Sequence, residues 1–191
     1  EDITYTAIFA DPAEDYKVSL VNAPIDVYQG QDFTLDVVIT SKENTEFQGA
    51  TIDVTFDNSK VDYDSENSSC EGFGITDKTS GSTTTLTIVG AEVGAEDAYS
   101  MASTDDGYAY TLATLAFSAK RNTTGQAVFA IGENAVVDQA EVVLPVDVEK
   151  GADVTVTLSQ IIVSFEPNGG SAVPQQILNY GDKATEPDKP T

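Results

Sequence analysis

The chain has 191 residues, with 32 acidic against 9 basic side chains, a formal charge of -23, one cysteine and no histidine or tryptophan. So acidic a surface repels phosphate backbones and anionic lipid, which argues against nucleic acid and membrane-surface partners. Lacking histidine, the chain cannot build Ser-His-Asp or Cys-His nucleophiles or His-ligated zinc and copper sites, and Cys70 has no disulfide partner.

Taken from the start, Ile3, Tyr5, Ala7 and Phe9 recur at every second position of residues 1–10 and form an apolar stripe, the period of a strand. Residues 11–15 read as a linker. From Tyr16 to Leu158 period two continues: Lys17 to Asn22, Ile25 to Tyr28, then a strand placing Phe33, Leu35, Val37 and Ile39 on one face. Ile52, Val54 and Phe56 alternate with Thr51, Asp53 and Thr55 in the next, so its polar face meets solvent or a partner. A weak strand over Phe73 to Thr76 and a stronger one over Thr83 to Val89 follow, the latter carrying Thr85 and Thr87 in polar phase.

Ala91 to Asp106 is the least strand-like stretch, suited to a short helix or a long loop. Strands resume over Tyr110 to Ala119, where the apolar phase slips between Leu112 and Leu115 as at a bulge. Ala127 to Ile131, Val142 to Val148 and Asp153 to Leu158 complete the set, separated by turn-forming runs such as Asn122-Thr123-Thr124-Gly125. Eight to ten strands at this spacing build an all-β sandwich or jelly roll. Last, Ile162 to Gly170 is a strand closing on an Asn-Gly turn, and Val173 to Gly181 is the returning segment.

Two resemblances organise these pieces. Val163-Ser164-Phe165-Glu166-Pro167-Asn168-Gly169-Gly170, Val173-Pro174 and Tyr180-Gly181-Asp182-Lys183-Ala184 resemble the opening half of an internalin-type B repeat, the Listeria-Bacteroides repeat. Residues 1–10 are similar to the closing strand of the same repeat. The resemblance divides the chain into a closing strand (1–10), a linker (11–15), a central domain (16–158) and an opening half-repeat (159–191). It implies an extracellular or cell-wall location in a bacterium and a stalk, spacer or adhesin role. The chain reads as a window cut from an array, whose tails, Ile3 to Phe9 and Val163 with Phe165, are expected to pair with one another, between chains above all.

The central order of pieces resembles a cohesin module: Val27-Tyr28-Gln29-Gly30-Gln31-Asp32-Phe33 opening the fold, then Gly49 to Val61, Tyr110 to Phe117 and Gly125 to Phe129. This implies a jelly-roll sandwich of about nine strands that binds a dockerin, a small calcium-loaded helical module, through one flat sheet face. Thr51, Asp53, Thr55, Thr85 and Thr87 are the expected partner-binding face, although such residues also simply line the wet side of a sandwich. Family members often carry an amide and an acid early on this strand; here Gly49 and Thr51 stand in those positions.

Other chemistries rank lower. Tyr28, Tyr63, Tyr99, Tyr108 and Tyr110 could stack on sugars, making carbohydrate binding the alternative reading. Calcium is the one candidate metal, through Asp105-Asp106-Gly107 or Asp77-Lys78-Thr79, but EF-hand spacing is absent and turn chemistry explains both. Carboxylates are numerous without any pair singled out, so a glycosidase ranks last and no catalytic residue is assigned. Cys70 has no basic neighbour and reads as inert.

Overall fold

The computed structural model describes residues 16–91, 98–138, 142–144, 146–158, 160–179 and 181–187. The expected strand at 1–10 and linker at 11–15 lie outside them. In chain order the first strands are β1 (Tyr16–Val21), β2 (Asp26–Tyr28), β3 (Asp32–Ser41), β4 (Glu46–Asp57), β5 (Val61–Ser69), β6 (Gly74–Ser80), β7 (Thr83–Ala91) and β8 (Tyr99–Ser100). They continue with β9 (Ala102–Thr104), β10 (Gly107–Ala119), β11 (Gly125–Asp138), β12 (Val143–Leu144), β13 (Asp147–Lys150), β14 (Ala152–Thr157), β15 (Gln160–Val163) and β16 (Gln176–Asn179). Nine of these are six residues or longer, which meets the expected strand number.

One sheet runs β13-β1-β3-β10-β5 with β9 added beside β10; the other runs β2-β14-β11-β4-β7-β6 with β8 beside β4 and β12 beside β11. Most pairs are antiparallel, but β1–β13 and β14–β2 are parallel. Alternation therefore supplies one inward face per strand, and the two inward faces pack together as the core. In β3, Phe33, Leu35, Val37 and Ile39 are buried while Thr34 is exposed.

Aromatic side chains fill the two ends of this core. At one end Phe117 lies 5.6 Å from Phe33, 5.1 Å from Phe56 and 5.0 Å from Phe129, ring centre to ring centre. At the other, Phe47 packs 5.2 Å from Tyr99 and 5.4 Å from Tyr110. Tyr99 and Tyr110 are thus core residues, their hydroxyls reaching the carbonyls of Gly72 and Glu71.

Departures from the sequence reading have local causes. β5 lacks an apolar alternation; it is a strand because it pairs with β10, where Val61 meets Ala119 and Tyr63 meets Phe117. The bulge in β10 falls at Leu112, where the register against β3 jumps from Thr111 to Ala113 and lets Leu112 and Ala113 both point inward. The expected single strand Val142 to Val148 is divided: β12 pairs with β11 and β13 with β1, in different sheets, with Pro145 in the sequence between them. Within Ala91 to Asp106 the described residues hold β8 and β9, not a helix, and 92–97 lie outside.

The β4–β5 turn carries a pH-sensitive contact. The Ser59 amide donates to Asp57 Oδ1 at 2.9 Å and, with the Ser59 hydroxyl, holds the carboxyl below its ordinary value of 3.8. A depressed folded-state pKa stabilises the fold above the unfolded value and ceases to do so as pH falls through the folded one. Asp57→Ala should therefore lower Tm at neutral pH, and the gap from the parent should narrow below pH 3.8, as thermal melts across that range would reveal.

Candidate functional site

The expected residues come together on the outer face of the second sheet. β4 and β7 pair so that Asp53 faces Thr87, Thr55 faces Thr85 and Thr51 faces Val89. Since Ile52, Val54, Phe56, Leu86 and Ile88 take the inward positions, the polar set is forced outward together. Thr51 is exposed and the other four are half-buried. The Thr87 hydroxyl donates to Asp53 Oδ1 at 2.6 Å, and the Thr55 hydroxyl donates to the Ala130 carbonyl at 3.3 Å. These bonds fix rotamers on an otherwise wet surface, so a partner would meet a preorganised pattern of hydroxyl and carboxylate.

Neighbouring strands extend the face. Across β6, Thr76 lies opposite Thr87 and Lys78 opposite Thr85. On the far side β11 puts Ala130 beside Thr55 and Ala135 beside Thr51, with an extra residue inserted between Ile131 and Asn134. This bulge sets Gly132 against Asp53, where a Cβ would come within 3.3 Å of the Asp53 Cβ. Further along, Val128 faces Asp153 and Gln126 faces Thr155.

The face is not uniformly polar. Val89 is 45% exposed, Val128 48% and Tyr28, at the β2 edge, 50%. Tyr28 was a candidate for sugar stacking; sequence reading missed the two valines, although phase could have found them: Val89 follows Thr85 and Thr87 by steps of two, and Val128 sits between the buried Ala127 and Phe129. A sheet face mixing hydroxyls, one fixed acid and scattered apolar groups suits a protein surface better than a small molecule, which needs a concave pocket.

Gly49 shares the outer phase of β4 and lies opposite Ala91. A Cβ built there would stand 2.8 Å from the Gly90 carbonyl oxygen and 3.0 Å from the Ala91 Cβ. The glycine is therefore required by the close approach of β7, and no amide side chain fits at this position.

The other candidates scatter. Asp105 and Asp106 form the β9–β10 turn of the first sheet, whereas Asp77 is on β6 of the second, so the possible calcium ligands do not converge. Among the described residues no three of Cys, Asp and Glu form a cation cluster. Of these five tyrosines, Tyr99 is buried, Tyr63, Tyr108 and Tyr110 are half-buried and pack against the core, and Tyr28 is exposed. Tyr63 lines a cleft of about 440 Å³ at the open edge between β5 and β6, with Asp62, Asp77, Thr79 and Lys120. Lys120 is paired with Asp62 at 3.0 Å, and burial raises the Tyr63 phenol pKa. The Cys70 thiol is half-buried and donates to the Phe73 carbonyl, a structural role.

Two facing sheets of this strand order define a jelly-roll β-sandwich. More narrowly, the fold is that of a cohesin module. It is similar to the sixth cohesin of Acetivibrio cellulolyticus scaffoldin B, solved with a Cel5 dockerin, at 18% identity and TM-score 0.57, covering 76% of this chain and 100% of that one. The OlpA cohesin in a type I cohesin–dockerin complex from Clostridium thermocellum gives TM-score 0.58 at 8% identity, covering 75% and 100%. A non-cellulosomal cohesin from the archaeon Archaeoglobus fulgidus gives TM-score 0.51 at 11% identity, covering 75% and 92%. By sequence the chain matches no protein-family model and no curated protein.

Proposed function

We propose that the chain is a non-catalytic recognition module whose protein partner docks on the outer face of the second sheet. The supporting observation is the β4–β7 pair, where Thr51, Asp53, Thr55, Thr85 and Thr87 share one flat surface with the exposed Val89 and Val128. Its fold neighbours include cohesins solved in complex with dockerins, which makes a dockerin-like helical module the partner class to try first. The module belongs to an extracellular or cell-wall-associated bacterial protein, flanked by B-repeat segments that act as spacers. No helix among the described residues is long and apolar enough to cross a membrane.

The test is surface plasmon resonance of the immobilised chain against a panel of dockerin modules. Thr51→Arg and Thr85→Arg should each weaken any binding more than about tenfold, because a desolvated unpaired charge is placed in the interface. Thr34→Arg, on the outer face of the first sheet, should leave it unchanged. Equal loss from all three, or no retained dockerin, would remove this reading and leave the spacer role.

Carbohydrate binding keeps one supporting observation, the Tyr63 cleft, whose ring, acids and lysine match the needs of sugar hydroxyls. Glycan-array retention that disappears in Tyr63→Ala would favour it.

A further inference from the structure

β5 ends the strand path of one sheet and β6 that of the other, and the Tyr63 cleft lies where these two strands part. Phe56 and Val61, both core residues, supply its apolar part. The Tyr63 ring lies 5.7 Å from that of Phe117, centre to centre, so it is backed by the core and offers a fixed aromatic surface.

The polar lining is tied into hydrogen bonds, and these decide what is left for a ligand. Asn58 spends both Nδ2 hydrogens, donating to the Gly81 carbonyl at 3.2 Å and to the buried Thr84 hydroxyl at 3.1 Å, which leaves Oδ1 as an acceptor. The Thr79 and Thr84 hydroxyls lie 2.8 Å apart and use one of their two hydrogens between them, leaving the other to donate. Lys120 gives one ammonium hydrogen to Asp62 Oδ1 at 3.0 Å and retains two, while Asp62 Oδ2 and the Asp77 carboxylate add acceptors. Donors and acceptors thus stand around one aromatic ring, held in place before any ligand arrives.

Sugar hydroxyls both donate and accept, and the C–H face of a sugar ring packs on an aromatic side chain, whereas an apolar ligand would leave these polar groups unpaired. Charge narrows the class further. Two carboxylates, Asp62 and Asp77, outnumber the one ammonium, in a chain of formal charge -23, so a carboxylate or sulfate on the ligand would be repelled. At about 440 Å³ the cleft is near the small end of ligand pockets, about 300–1,000 Å³. Resting on the carbohydrate reading of this cleft, we infer that it takes a neutral sugar of mono- or disaccharide size and rejects uronic and sulfated ones. The site is separate from the docking face, since Thr84 takes the inward phase of β7 and Thr85 the outward one.

NMR titration of the isotope-labelled chain with methyl glucoside, methyl galactoside, methyl xyloside, cellobiose and glucuronate tests this. At least one neutral sugar should give saturable amide shifts at Asn58, Tyr63 and Thr79, and glucuronate should bind at least about tenfold more weakly. Tyr63→Ala should weaken sugar binding more than about tenfold. Asp77→Asn, at an exposed position of β6 and so without cost to the core, should narrow the gap between glucuronate and the neutral sugar, which a merely structural role would not do. Thr51→Arg, on the docking face, should leave sugar binding unchanged. No shift with any neutral sugar would overturn the carbohydrate reading and the ligand class together. Glucuronate binding as tightly as the neutral sugars would overturn the ligand class alone.

Discussion

Phe117→Ala is expected to destabilise the sandwich by about 3–5 kcal/mol, since it removes a large ring from a site that cannot collapse around the loss. Phe117 is 1% exposed and touches Phe33, Phe56, Phe129 and Tyr63. Those four partners sit on β3, β4, β11 and β5, so the ring joins both sheets. Typical domain stability is about 5–15 kcal/mol, which makes this one substitution a sizeable share of the total. Urea denaturation would measure it, with the exposed Val128→Ala as a control expected to stay within about 0.5 kcal/mol. A loss for Phe117→Ala no greater than the control would mean the aromatic cluster is not packed as described.

Gly49→Asn should be the second most damaging change, by about 1–3 kcal/mol, through overpacking. The obstacle is backbone: the Gly90 carbonyl oxygen at 2.8 Å belongs to a paired strand and cannot swing away like a side chain. Gly49→Ala should lose most of the same stability, because the Cβ alone makes the contact. Thermal melts of the two variants, compared with Thr51→Asn on the same face, separate steric cost from chemistry. A Gly49→Asn protein as stable as the parent would show that β4 and β7 can part, and would reopen this position to an amide.

Sequence period alone carried the reading a long way through the strong strands. In β3 and β4 every large apolar residue of the alternation turns inward, and the polar complement of β4 becomes the candidate face. The Leu112 bulge was legible too, because a slip of one residue in an apolar phase has no other outcome in a sheet that must keep one face buried. β5 was invisible for the opposite reason: Asp62, Asp64, Ser65, Glu66 and Asn67 carry no phase, and a neighbour's hydrogen-bonding edge decides their conformation. Local composition also could not separate β12 from β13, since assignment to different sheets is a property of the whole fold. At the site, the residue types on one face followed from β4 and β7 phase. Their cross-strand partners, the Asp53–Thr87 hydrogen bond and the exclusion of a side chain at Gly49 depend on register, which period does not give.

The two parallel pairs, β1 with β13 and β14 with β2, decide how the domain answers a pull. With the entering strand at one pole and the leaving strand at the other, tension along the chain runs lengthwise through these ladders. Their hydrogen bonds are then loaded together and must fail as a group, unlike a hairpin tugged open rung by rung. A domain pulled by its two ends would, by this geometry, resist shear as a stiff link.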